Sequence, residues 1–284
     1  MAQERWLVIA NCQTHGLANS LQSLVPDVEV TGMYPHSFNN APLRNNRTLA
    51  QYDRLFISPG IEKMIPRARL ERIKQHTMLP WFSFRAYHPD LVYAQCGGVT
   101  FKSPADDYHS GIALAAYRKG MSLADTRELY RGRTFEICGL FGWWQSERDR
   151  IVDHLHQIGI DITHQIRRWG DNDAFMYSTN HPKIRVLFDL AKELVKSIGR
   201  EPLANVTMPH DNLAYAGGFA VYPEIGESLG VPGSYIFKTY DTYRQFGLDE
   251  FLAGSFAMYD RYPREALGVT GEFRHTFEQI ERAL

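Results

Sequence analysis

The fold is decided by residues 5–25, which read RWLVIANCQTHGLANSLQSLV. Residues 5–10 are apolar after Arg5 and rich in branched side chains, a composition typical of a buried strand. Leucines then recur at positions 17, 21 and 24, and this spacing predicts an amphipathic helix that ends near Pro26. Only the polar segment Asn11-Cys12-Gln13 separates the two patterns. The stretch therefore predicts a strand, a tight turn and a helix.

Three further segments have the character of strands, at 28–33, 54–57 and 81–84. Ten to twenty-odd residues separate successive strands, which favours parallel strand-helix-strand units with ligands at the carboxyl ends of the strands. We therefore predict an α/β fold with a parallel, Rossmann-like sheet in the N-terminal part.

Helical patterns dominate after about residue 105. We predict helices at 110–118, at 123–130 with Ser122 as N-cap, at 146–158 and at 248–259, and one at the C-terminus. The clearest helix covers 182–198, with Pro182 at its first position and Gly199 just past its end. The prediction is one α/β domain over 1–284, with a strand-rich core at 1–105 and a mainly helical elaboration at 106–284.

Composition excludes several classes of protein. The 284 residues are 44% hydrophobic and 22% charged with a formal net charge of -1, which argues for a globular chain and against nucleic-acid binding. Apolar runs are too short to span a bilayer, and no signal pattern is present, so we expect a cytoplasmic protein. Three widely spaced cysteines and eleven scattered histidines predict neither a disulfide framework nor a metal site.

The turn Asn11-Cys12-Gln13 is the first candidate for chemistry. A thiol in front of a helix lies near free backbone N–H groups, which favour the thiolate and can lower the pKa of the thiol. Those N–H groups, with the amides of Asn11 and Gln13, could also stabilise an oxyanion or hold a phosphate. The alternative is that Cys12 is a small buried apolar residue and that Asn11 only caps the turn.

Three histidines are further candidates, two of them, His181 and His88, as the base. His181 precedes Pro182, so the positive end of the predicted helix would keep its ring neutral and able to accept a proton. His88 lies two residues before Asp90, which could orient it by a hydrogen bond, and His109 opens a predicted helix. Each also has a purely structural interpretation, as a cap or a turn residue.

Basic residues that could hold an anionic ligand are scattered along the chain. None belongs to a GxGxxG or GxxxxGK[ST] motif, so neither a dinucleotide nor a P-loop site is supported. The candidates are Arg44, Arg47, Lys63, Arg67, Arg85 and Lys102.

Five segments together resemble the WcbI polysaccharide-biosynthesis family. They are Asn11-Cys12-Gln13, PWFSFRAYHPDLVY at 80–93, DDYHSGIALAAY at 106–117, FMYSTNHPKIRVLFDLAKELVKSIG at 175–199 and YPEIGESLGVPGSYIFK at 222–238. The N-terminal arrangement is also similar to the SGNH hydrolase and flavodoxin-like layouts. In the SGNH layout a serine stands where Cys12 is, and an acidic residue stands where Ser178 is, three residues before the histidine.

The resemblance implies a CoA-dependent O-acetyltransferase that moves an acyl group from acetyl-CoA to a sugar hydroxyl in capsular or exopolysaccharide biosynthesis. We predict catalytic roles for Cys12, Gln13, His88 and His181. The predicted CoA-binding residues are Asn11, Arg44, Arg47, Lys63, Arg85, His109 and Asn180.

Two alternatives stay open, an SGNH-like esterase and a non-catalytic module that binds CoA or a glycan, for which the tyrosines of 215–243 offer stacking surfaces. The expected partners are a CoA thioester and a sugar or polysaccharide, with no metal and no nucleic acid. A homo-oligomer is left open, and the sequence identifies neither the sugar nor the acyl group.

Overall fold

The computed structural model describes residues 3–40, 48–71, 73, 75–79 and 81–284. The strands are β1 Glu4–Ile9, β2 Val28–Gly32, β3 Arg54–Ile57, β4 Gln75–Met78, β5 Leu91–Val92, β6 Ala94–Cys96, β7 Val99–Thr100, β8 His109–Ser110, β9 Met176–Ser178, β10 His181–Pro182, β11 Ile236–Lys238, β12 Gln245–Gly247 and β13 Leu267–Val269. The α-helices are α1 Thr14–Leu24, α2 Pro35–Asn40, α3 Arg67–Leu70, α4 Gly111–Arg118, α5 Leu123–Arg127, α6 Gly132–Ile137, α7 Trp143–His156, α8 Thr163–Trp169, α9 Ile184–Ser197, α10 Pro223–Leu229, α11 Leu248–Tyr259 and α12 Arg274–Ala283.

These elements form two compact units, each assembled from separate stretches of chain. The first contains 1–83, 148–169 and 180–213, and the second contains 84–147, 170–179 and 214–284. The predicted boundary near residue 105 does not separate them, because α8 and α9 belong to the unit that contains β1. Sequence periodicity identifies helices one at a time and does not show which later helix packs on the first sheet.

The first unit is built on a four-stranded sheet in the order β2-β1-β3-β4, with every pairing parallel. Strand β1 is central, and its residues from Trp6 to Ile9 are fully buried. A parallel strand covered on both faces has to be apolar throughout, which explains the continuous run WLVI. The α/β class, with a parallel Rossmann-like sheet followed by a mostly helical remainder, is confirmed.

Helix α1 packs closely against α9, and Gly16 makes that approach close. A methyl group at Gly16 would lie 2.5 Å from Cδ1 of Leu187, well inside van der Waals contact. Helix α9 turns its buried face, which includes Leu187, Leu190 and Leu194, inward. The chain before α9 is thereby held beside the chain before α1.

Two predicted elements differ from the observed ones. The fourth strand is β4, whose QHTM sequence is largely polar and half exposed, as suits a strand at the sheet edge. Residues 81–84 form no ladder; the N–H of Phe84 donates to the carbonyl of Thr179.

Helix α9 begins at Ile184 rather than at Pro182, because Lys183 is the N-cap and the carboxylate of Asp211 accepts the N–H of Ile184.

The second unit combines helices with small antiparallel sheets, β5 with β8, β13-β6-β7, and β11 with β12. Its core is rich in aromatic rings, among them Tyr222, Phe237 and Phe251. The prediction of α11 at 248–259 matches the observed bounds, and Ser122 caps α5 by accepting the N–H of Asp125.

Candidate active site at the carboxyl end of the first sheet

The strand order places the expected ligand position beyond the end of β1. The chain adds β2 on one side of β1 and then β3 on the other side. Ligands of open α/β sheets bind where the order of strand addition reverses in this way, beyond the carboxyl ends of the strands. Asn11, Cys12 and Gln13 follow β1 directly, while the buried Ser58 follows β3. The N–H of Ser58 donates to the carbonyl of Ile9 at 3.0 Å, which keeps the two strand ends together.

A set of local hydrogen bonds fixes the turn after β1. The side-chain oxygen of Asn11 accepts the N–H of Gln13 at 3.0 Å. The hydroxyl of Thr14 accepts the N–H of Ala10 at 3.0 Å and donates to the carbonyl of Asn11 at 2.8 Å. Helix α1 begins at once, with Gln13 as N-cap. The turn is thus a rigid platform that presents Cys12 two residues before the helix.

Cys12 and Gln13 both reach the segment that leads into α9. The thiol of Cys12 donates to the carbonyl of Asn180 at 3.8 Å. The amide nitrogen of Gln13 donates to the same carbonyl at 2.9 Å and to the carbonyl of Phe82 at 2.6 Å. Gln13 is therefore a brace in this arrangement, and the role of oxyanion donor that we predicted for its side chain is not available while both bonds are made.

The acidity of Cys12 is opposite to the sequence-based expectation. Burial raises the pKa of the Cys12 thiol to about 12, although the backbone N–H groups of Cys12 and Gln13 act in the lowering direction that we expected. The desolvation penalty on a thiolate outweighs the partial positive charge of the helix start. The prediction of a thiol with a lowered pKa is therefore wrong, and Cys12 is a neutral S–H group at ordinary pH.

His181 lies directly after the carbonyl that accepts the Cys12 thiol. It is buried, with 7% of its surface exposed, and belongs to the short β10 two residues before the N-cap Lys183. The predicted position at the helix N-cap was wrong by two residues, because α9 begins later than expected. The structure nevertheless brings the Cys12 and His181 segments together within one unit.

The other two predicted histidines lie in the interior of the second unit. His88 is 1% exposed, and neither ring nitrogen makes a hydrogen bond of good geometry within the described residues. Burial lowers its pKa to about 3, against a weaker raising effect of the Phe219 backbone. Asp90, which we expected to orient it, instead accepts the hydroxyl of Tyr222 at 2.7 Å and the N–H of Ile112 at 2.8 Å. The role of base is thus unsupported for His88, because neither its location nor its expected partner fits.

His109 has both ring nitrogens engaged in the core. One lies 2.9 Å from the carbonyl of Phe101 and the other 3.1 Å from the hydroxyl of Tyr259, and burial lowers its pKa to about 4. A neutral ring that donates to one group and accepts from the other satisfies both contacts. The structure therefore gives no support to the predicted role of His109 in binding the cofactor.

The basic candidates divide into three cases. Lys63 is exposed in the short 3-10 helix Ile61–Met64 that follows β3, at the same end of the sheet as Cys12. Arg85 is held between the rings of Trp143 and Phe273, at 4.8 and 4.7 Å from their centroids, which indicates packing rather than phosphate binding. Arg44 and Arg47 lie outside the described residues, and their roles stay predictions.

Sequence reasoning missed the residues that shape the site. Thr14 locks the turn and Ser58 ends β3 beside it, yet we considered neither. The sequence contained a signal for Ser58, since it follows the RLFI run directly, just as Cys12 follows RWLVIA within two residues.

Among the described residues no group of histidine, cysteine and acidic side chains could hold a metal ion. None of the described helices is long and apolar enough to cross a bilayer.

Comparison with known proteins identifies the family. The sequence model of the polysaccharide biosynthesis enzyme WcbI matches residues 5–203, about two thirds of the chain. The chain belongs to the WcbI family. The matched WcbI region contains the whole first sheet, the Cys12 turn and α9.

A solved WcbI structure has the same fold. It superposes with a TM-score of 0.74 over 99% of both chains at 15% sequence identity. That protein is described as WcbI, a novel polysaccharide biosynthesis enzyme, in a native form without a disulfide bond between CoA and one of its cysteines. A search of curated proteins finds no match to this chain.

Proposed function

We propose that this polysaccharide biosynthesis enzyme of the WcbI family is a CoA-dependent acyltransferase, acting on a sugar hydroxyl at the turn after β1. The observation that carries the proposal is the Cys12 thiol at the switch point of the sheet, hydrogen-bonded to the chain just before His181. The naming of CoA together with a cysteine in the WcbI relative supports the choice of acyl donor.

The raised pKa of Cys12 favours direct transfer over an acyl-cysteine intermediate. A nucleophilic cysteine reacts as its thiolate, which burial disfavours here. In direct transfer the sugar oxygen attacks the thioester carbonyl, the new C–O bond forms, and the C–S bond breaks. His181 takes the hydroxyl proton and returns it to the departing CoA sulfur, and the neutral Cys12 thiol can donate a hydrogen bond to that sulfur as its charge develops.

Lys63 is our candidate for a phosphate of CoA. It is exposed after β3, and its ammonium has no ion-pair partner in the described part of the chain. The esterase alternative has less support, because a cysteine hydrolase needs the thiolate that burial disfavours. A non-catalytic module would bind the same ligands as a transferase but would not transfer the acyl group. The assay must therefore measure both binding and transfer.

The first test is the melting temperature with CoA, acetyl-CoA and, as a control nucleotide, ATP. Ligand at a hundredfold excess over Kd should stabilise the native protein by about 2.7 kcal/mol. CoA and acetyl-CoA should raise the melting temperature and ATP should not. Lys63→Ala should weaken the CoA effect, while Lys119→Ala, at an exposed position in the second unit, should leave it unchanged. No shift with either CoA compound contradicts the proposal.

The second test is acceptor-dependent release of the CoA thiol from acetyl-CoA. Cys12→Ala should lower the rate by at least tenfold, and Cys96→Ala, at a cysteine of similar exposure, should not. Unchanged turnover in folded Cys12→Ala removes Cys12 from the mechanism. Hydrolysis of p-nitrophenyl acetate at the same rate with and without CoA would instead support the esterase.

A further inference from the structure

Three exposed tyrosines form a continuous aromatic surface on the second unit. Tyr215, Tyr240 and Tyr243 are 43, 49 and 53% exposed. The ring of Tyr215 lies 5.9 Å from that of Tyr240 and 5.7 Å from that of Tyr243. Large aromatic rings that are grouped on a surface, rather than scattered singly, mark a binding site. We call these three residues the tyrosine platform.

The turn that carries two of these rings contains two residues in a costly backbone conformation, one of which is Tyr243. Tyr240 and Tyr243 lie in the turn between β11 and β12, where Asp241 and Tyr243 have φ of 70° and 54°. Non-glycine residues in this left-handed region cost about 1 kcal/mol or more each and persist where the surroundings impose them. Here the hydroxyls of Thr239 and Thr242 bond to each other across the turn. These contacts define the backbone of the turn from which Tyr240 and Tyr243 project.

Charge around the platform is balanced, which argues against an anionic ligand. Lys102 lies 5.6 Å from the ring of Tyr240 and is paired with Asp106. Lys238 lies 5.2 Å from the ring of Tyr243 and donates to the carbonyls of Tyr215 and Ala216, while burial lowers its pKa. Both cations are engaged within the protein, so the surface offers aromatic faces without free positive charge.

A cleft opens at the other end of the same hairpin. Its volume is about 480 Å³, within the range of small-ligand sites. It is lined by Arg127, Tyr130, Tyr235, Ile236, Gly247, Leu248, Asp249 and Glu250. Arg127 and Asp249 form an ion pair at 2.6 Å, and Glu250 pairs with Arg244. Carboxylates and a guanidinium side by side match hydroxyl groups, which both donate and accept, and the two acids disfavour a phosphate.

We propose that the β11–β12 hairpin binds an uncharged polysaccharide, with sugar rings stacked on the tyrosine platform and sugar hydroxyls bonded in the cleft. The choice of a sugar polymer rests on the proposed function, whereas the location rests on the contacts above. Tyrosine suits this role because its ring offers an apolar face and its hydroxyl a polar tip.

Affinity electrophoresis tests the proposal with mannan, dextran and hydroxyethyl cellulose as neutral probes and heparin as the anionic one. At least one neutral polymer should retard the wild-type chain. The double variant Tyr240→Ala/Tyr243→Ala should bind that polymer roughly tenfold more weakly. Trp81→Ala, which removes an equally exposed aromatic ring from the first unit, should bind as the wild type does.

Three results overturn the proposal: no retardation by any neutral polymer, retardation by heparin alone, or wild-type affinity in the double variant. A melting curve confirms that each variant is folded. CoA is absent from these gels, so loss of the CoA-induced melting shift with intact glycan retardation rejects the proposed acyl transfer alone. Loss of glycan retardation with an intact CoA-induced melting shift rejects the glycan site alone.

Discussion

The turn after β1 and the interior around Asp90 are both polar sites in apolar surroundings, but they satisfy their polar atoms differently. In the second unit Asp90 accepts from Tyr222 and Ile112, while the Ser110 hydroxyl bonds to that of Tyr130 at 2.6 Å. In the first unit the Cys12 thiol donates a weak hydrogen bond to the carbonyl of Asn180 at 3.8 Å. A fully bonded network stabilises the fold, whereas a reactive group with a weak partner can exchange it for a substrate.

Removal of the Asp90 carboxylate should have the largest effect on stability. Asp90→Ala leaves the Tyr222 hydroxyl and the Ile112 N–H unsatisfied in the core, at a cost of about 3–5 kcal/mol. Urea denaturation measures the loss, and Asp171→Ala, at an exposed position, is the control. If both variants lose the same amount, the Asp90 network is not the structural element we describe.

Acid should destabilise the protein through the two buried histidines. Burial lowers the pKa of His88 to about 3 and that of His109 to about 4, so below pH 6.5 the unfolded chain binds protons that the native chain does not. Above pH 6.5 these two rings do not reduce the free energy of unfolding. Below pH 6.5 they reduce it by up to about 2.7 kcal/mol for each pH unit. His88→Leu should remove about half of this slope, and the exposed His164→Gln should not. An unchanged slope in His88→Leu would show that this ring is accessible to protons.

The contact of α1 with α9 gives a smaller effect. Gly16→Ala places a methyl 2.5 Å from Cδ1 of Leu187, so this buried side chain must shift. Overpacking costs about 1–3 kcal/mol, of which the helix preference of alanine over glycine offsets about 1 kcal/mol. Gly268→Ala, where a Cβ meets no atom within 4 Å, serves as the matched control. We expect the Gly16 variant also to bind CoA more weakly, since the same contact aligns Cys12 with the chain before His181. If the Gly16 variant matched the control in stability and CoA affinity, the contact between α1 and α9 would not be what positions the site.

Local sequence predicted the elements and the location of the Cys12 turn, because strand composition and leucine spacing are local properties. It failed where partners lie far apart in sequence. The start of α9 depends on Asp211, 27 residues from Ile184, and the role of His109 depends on Tyr259, 150 residues away. The pKa of Cys12 depends on how deeply the fold buries it, and no motif encodes that depth. Ser58 could have been found by comparing the ends of neighbouring strands.

The central claim is that the CoA sulfur comes to Cys12, and labelling with CoA disulfide tests it most directly. Exchange with the thiol would release one CoA thiol and leave CoA disulfide-bonded to the protein, where peptide mass spectrometry locates it. Iodoacetamide should label Cys12 less than Cys96, because a pKa of about 12 in place of 9.0 lowers the thiolate fraction about a thousandfold at pH 7.5. CoA disulfide should reverse this preference, since binding holds its sulfur beside Cys12. Labelling of Cys96 ahead of Cys12 by both reagents would contradict the account.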